Sequence, residues 1–141
     1  MVYEHILVAY DGTTAGDAAL LAAGKLAARH GARLTIVTVV ALERPIRRVT
    51  RLPMLTGVWN DVLLDRARAD LERADRLLDV PAERTVLFGS QAKALAAGAK
   101  EFGCDAIMLA APRSERLARL LHLDLSRRVQ RRAALPVLHP R

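Results

Sequence analysis

The sequence holds one cysteine, Cys104, among 141 residues. A single thiol excludes an internal disulfide and any cysteine-built metal site within one chain. At the edge of an apolar run it reads as a small buried hydrophobe. Aromatic residues are 4% of the chain, so no platform exists on which single-stranded bases would stack. No apolar run approaches the roughly 18 residues that span a bilayer. The opening MVYEHILVAYDG carries no basic stretch followed by a small-residue cleavage site. A soluble, cytoplasmic protein with no membrane association is the expectation. The four histidines, His5, His30, His122 and His139, match neither HExxH nor a zinc cluster. GxSxG, GxxxxGK and GxGxxG are absent. No nucleophile, base and orienting group stand together, so an enzyme has no support in the sequence.

What is present is the make-up of a globular domain: 52% hydrophobic and 26% charged residues, in a length that suits one domain over 1–141. His5 to Tyr10, HILVAY, is a short apolar run that stops at the turn signal Asp11-Gly12. Thr14 to Asp17 fits a capping box with Asp in place of Glu, and the alanine-rich helix it opens ends at Gly31. Leu34 to Val40, LTIVTVV, is apolar on both faces, as a central parallel strand must be.

Residues 41–57, with two prolines and no sustained period, suggest a long surface loop. From Trp59 onward Leu63, Ala67, Leu71, Ala74 and Leu78 recur at helical spacing, with Arg and Asp on the other face. Thr85 to Phe88 predicts a third strand, and Ser90 caps an alanine-rich helix closed by Gly103. Ala106 to Ala110 and Pro136 to Leu138 predict the fourth and fifth strands. Strands that alternate with helices imply an α/β domain with a doubly wound parallel five-stranded sheet. Ligands of such sheets bind outside the carboxyl ends of the strands, where the strand order reverses.

HILVAYDGT at the start, CDAIMLAAPRS before the last helix and the terminal ALPVL together resemble the universal stress protein family, over essentially the whole chain. The resemblance implies the strand order 3-2-1-4-5, a reversal between strands one and four, and ATP bound there in many members. It places Asp11, Thr13, Val39, Ala110, Arg113, Asp124 and Ser126 around the nucleotide crevice.

The family's phosphate signature is Gly, two residues, Gly, nine residues, then Gly-Ser or Gly-Thr. Here its positions are Ala110, Arg113 and Leu123-Asp124, and none is kept. Glycine lets a backbone approach phosphate oxygens closely, and side chains at these positions narrow the cradle. A carboxylate at the hydroxyl position would oppose an anion by about 4 kcal/mol at 4 Å and an effective dielectric near 20. Micromolar binding supplies about 8 kcal/mol in all. The expectation is a regulatory, non-enzymatic stress-response module without a tightly held cofactor, acting through partners. Asp124 by itself reads as the cap of the last helix, and Asp11 reads equally as a turn aspartate bonded to Gly12 or Thr13. The alternative is an adenine-nucleotide site for ATP or AMP in which Arg113, Arg116 and Arg119 neutralise the phosphates, with Mg²⁺ on Asp124.

Relatives of this type pair as homodimers through the terminal strand, here Pro136 to Leu138, an apolar edge shortened by two prolines, Pro136 and Pro140. A third possibility follows from charge. The net charge is +7, and residues 113–141 carry eight arginines against Glu115 and Asp124, a local balance of +6. Arg127, Arg128, Arg131 and Arg132 share one helical face, which suits a polyanion such as nucleic acid. A further cluster, Arg44, Arg47, Arg48 and Arg51, lies in the proline-containing loop.

Overall fold

β1 (His5–Ala9), β2 (Arg33–Val40), β3 (Glu83–Phe88), β4 (Ala106–Met108) and β5 (Val137–Leu138) form one sheet in the order β3-β2-β1-β4-β5. The computed structural model describes residues 2–41, 53–110 and 116–140, the side chains of 53–59 and 116–122 excepted. Every pairing is parallel, with Ile6 opposite Leu34 on one side and Ala106 on the other. Crossover connections supply the helices α1 (Thr14–His30), α2 (Pro53–Leu77), α3 (Gln91–Phe102) and α4 (Arg116–Ala133). This is the doubly wound sheet that the alternation of elements predicts. Among the described residues no helix is long and apolar enough to cross a membrane.

The alternation of side chains along β1 sorts the core into two layers. Ile6, Val8 and Tyr10 face α1 and α2, where they pack with Leu20, Ala23, Leu71 and Ala74. Leu7 faces α3 and α4, where it packs with Leu95, Ala99 and Val129. Both layers are built on alanine, so helix and sheet approach closely. The lone cysteine is buried, and burial pushes its thiol up to about 11, a poor nucleophile at neutral pH.

Element ends differ from the sequence reading in ways with local causes. α2 begins at Pro53, not near Trp59, because proline is tolerated in a first helical turn whose N–H groups are unpaired anyway. The rest of the expected loop, 42–52, lies outside the described residues together with Arg44, Arg47, Arg48 and Arg51. The cap of α1 is Thr13, not Thr14: its hydroxyl accepts the Gly16 N–H at 3.0 Å. Asp17 is thereby released from a capping box. Ser90 stands at the start of α3 in extended conformation but makes no side-chain cap bond. α4 starts at Arg116, so Asp124 is mid-helix and does not cap it.

Candidate functional site

β1 is the strand at which the order reverses, with β2 on one side and β4 on the other. A cavity of about 680 Å³ opens at the carboxyl ends of these three strands. Its floor is Ala9 to Asp11 at the end of β1, Thr38 to Ala41 at the end of β2, and Leu109 and Ala110 after β4. Arg66, Ala67 and Asp70 of α2 form one wall, and Leu95 of α3 and Leu125 of α4 the other. The volume suits a small organic ligand. The floor is held from below. The Thr38 hydroxyl donates to the Tyr10 carbonyl at 3.1 Å, and the Tyr10 N–H donates to the Val37 carbonyl at 2.9 Å.

Asp11 folds back onto the turn that follows it. Its Oδ1 accepts the Thr13 N–H at 3.0 Å and the Thr13 hydroxyl at 2.6 Å. The turn reading of Asp11 therefore holds, with Thr13 as the partner, while both residues still line the cavity. Gly16 makes this approach possible, since a Cβ there would stand 2.4 Å from the Asp11 carboxylate. Gly12 does the same for Asp70. At φ +77° it occupies the left-handed region, and a Cβ there would meet Asp70 Oδ1 at 2.4 Å. Burial pushes the Asp70 carboxyl up, with Arg66 opposing the shift and Asp11 adding to it.

Behind the cavity lies a hydrogen-bonded cluster that closes α1 against α2. The Tyr10 hydroxyl donates to Asp17 Oδ1 at 2.5 Å, while Arg73 donates to the Tyr10 oxygen at 3.1 Å and to Asp17 Oδ2 at 2.6 Å. The Arg73 bond holds Asp17 below the usual carboxylate range, and burial pushes Tyr10 up to about 12. The cluster is a clamp between helices. Every member is used by another, which leaves no free base or nucleophile.

Of the residues expected around a nucleotide, Asp11, Thr13, Val39 and Ala110 line the cavity. Arg113 lies outside the described residues. Asp124 does not line the cavity: it is exposed, 3.8 Å from Arg128 on the outer side of α4. Ser126 is buried one position beyond Leu125 and is likewise not among the lining residues. A repulsive carboxylate inside the crevice is therefore not found at position 124. The backbone N–H groups of Leu123 and Asp124 lie within α4 and point at carbonyls four residues back.

Arg66, Asp70 and Gln91 line the cavity without having been singled out in the sequence. The apolar stripe of α2 assigned its Arg and Asp to the solvent side, yet Asp70 is half-buried against Gly12. A turn glycine facing a helix is a tertiary fact with no local signal. Among the described residues no group of acids, histidine and cysteine is arranged to hold a metal.

The family model described as "Universal stress protein family" matches residues 2–139. A protein of that family from Burkholderia pseudomallei is similar at 27% identity, covering 99% of this chain and 97% of its own, with a TM-score of 0.76. A universal stress protein in complex with cAMP is similar at 25% identity, covering 100% and 98%, with a TM-score of 0.66. One from Archaeoglobus fulgidus in complex with dAMP has the same fold at 18% identity, covering 100% of both chains, with a TM-score of 0.68. No curated protein sequence matches.

Proposed function

Since the chain belongs to the universal stress protein family, we propose that it is a non-catalytic stress-response module that does not hold ATP tightly. Its crevice admits at most a ligand of low negative charge, of the class of adenosine, AMP or cAMP, and it acts as a dimer through protein partners. The course of α4 carries this reading. The helix runs unbroken through Leu123 and Asp124, so the backbone donors that a glycine-hydroxyl pair would offer to phosphate are already used. The charge around the cavity agrees. Two aspartates, Asp11 and Asp70, stand against one described cation, Arg66, and this wall disfavours the several negative charges of a triphosphate. A relative at 25% identity is in complex with cAMP, a nucleotide with a single phosphodiester charge. The dimer is proposed at the free side of β5, which pairs with β4 on its other side.

Calorimetric titration with ATP, AMP and cAMP, each with and without Mg²⁺, tests the site. The expected outcome is no saturation by ATP below about 1 mM, equivalent to roughly 4 kcal/mol, and AMP or cAMP binding no more weakly than ATP. Restoring the signature with Ala110→Gly, Arg113→Gly, Leu123→Gly and Asp124→Ser weakens α4 at its middle and is expected to raise ATP affinity. Micromolar ATP binding by the unaltered protein overturns the reading and makes Arg66 and the arginines after β4 phosphate ligands.

A further inference from the structure

We propose that the outer face of α4 binds the phosphate backbone of duplex nucleic acid, independently of sequence and of whatever the crevice holds. At about 100° per residue, Arg127, Arg131, Arg128 and Arg132 fan over less than half of the helix circumference. All four are exposed. Arg128, Arg131 and Arg132 share with Asp124 a shallow hollow of about 440 Å³. Four arginines and one aspartate leave a formal +3 on this patch. Asp124 reaches Arg128 only at 3.8 Å, with both side chains more than half exposed, so that pair is weak. Among the described residues Arg127, Arg131 and Arg132 have no ion-pair partner. The guanidinium fork suits phosphate oxygens, and neighbouring side chains one turn apart suit a run of phosphates rather than a single one.

The composition of the face selects among anionic partners. α4 contains no Phe, Trp or Tyr, so it offers neither a stacking surface for single strands nor the aromatic anchors that dominate protein interfaces. Among the described residues of α4, Leu123, 49% exposed, is the one exposed large apolar group beside the arginines. A membrane-surface helix needs its apolar stripe free to enter the lipid. In the described part of α4 that stripe, Leu125, Val129 and Ala133, is packed against the sheet. A duplex backbone asks only for charge at the right separation.

The test is fluorescence anisotropy of a labelled mixed-sequence 20-base-pair DNA duplex (about two helical turns) titrated with the full chain. Three or four phosphate contacts predict a log-log salt slope of about −2.7 to −3.6, a loss of about 40- to 150-fold in affinity between 50 and 200 mM salt. The variant Arg127→Ser, Arg128→Ser, Arg131→Ser and Arg132→Ser is expected to lose at least tenfold at 50 mM salt with its helical circular dichroism unchanged. Removing the same charge elsewhere, with Lys25→Gln, Arg29→Gln, Lys93→Gln and Lys100→Gln, is expected to cost less than threefold. Equal losses in the two variants, a flat salt response, or no binding at 50 mM salt overturn the proposal. So does tighter binding to the single strand, to polyglutamate or to phosphatidylserine vesicles than to the duplex, since each would name a different partner.

Discussion

Gly12 holds φ at +77° with the Asp70 carboxylate where its Cβ would be, so two independent penalties meet at one residue. A left-handed backbone costs a non-glycine residue about 1–2 kcal/mol, and the displaced carboxylate adds to it. Gly12→Ala is expected to lower stability by about 2–3 kcal/mol in chemical denaturation, and Asp70→Ala in the same chain to recover only the contact share. Equal stability of the single and double variants would remove Asp70 from the account. Tyr10→Phe deletes the hydroxyl shared by Asp17 and Arg73 and is expected to cost about 1 kcal/mol. The cluster also sets a pH dependence. The Asp17 carboxyl is held below its ordinary value, so its stabilisation is present above the unfolded carboxylate range and is lost as pH falls through it. Tyr10 is raised to about 12, so its stabilisation is present below about pH 10 and is lost toward pH 12. Asp17→Asn is expected to flatten the acid side of the stability profile below about pH 4, as measured by urea midpoints. An acid limb as steep as that of the parent would contradict it.

The two helix caps on opposite layers of the sheet make a paired prediction at the scale of elements. Thr13 caps α1 through its hydroxyl, whereas Ser90 before α3 makes no side-chain cap bond. Thr13→Ala is expected to cost about 1–2 kcal/mol, with the Asp11 bond lost as well, and Ser90→Ala less than about 0.5. Thermal midpoints of the two variants would then separate by several degrees. Beyond α4, Ala134 holds φ at 53° where a glycine usually stands. Ala134→Gly relieves about 1–2 kcal/mol of left-handed strain against about 0.4–1 kcal/mol of added chain entropy. A small net gain in stability is expected. Periodicity and composition made α1, α3 and all five strands readable to within a few residues, since most of these runs are bounded by glycine, proline or a turn. They did not place the start of α2, because Pro53 reads as a breaker unless one knows that it stands in a first turn.

At the scale of the molecule, the proposed dimer rests on the edge at β5. Among the described residues Val137 and Leu138 pair with Ile107 and Met108 on one side only, and a twofold partner would cover the other. Analytical ultracentrifugation is expected to give a dimer at micromolar concentration and a monomer for Val137→Lys, which puts a charge at the twofold edge. A monomer in both samples would leave β5 an open edge.

Composition and pattern alone determined the class of fold. Strands apolar on both faces are stable only under two layers of helices, and alternation with helices makes the sheet parallel. The family motifs added the strand order. They also located the crevice, because the carboxyl ends beside the reversal must gather Asp11, Val39 and Ala110. Tertiary structure alone decided what else stands there. Asp70 enters through the space left by Gly12, Arg66 comes with it on the same wall, and Asp17 is taken by Tyr10 and Arg73 instead of capping its helix. Residues 58 and 56 positions apart in sequence meet there, and no local rule of spacing carries information over such a span. The fate of Asp124 has the same cause. The family resemblance assigned it to a phosphate site, but the length of α4 turned it outward, and helix length is set by packing along the sheet as much as by the residues themselves.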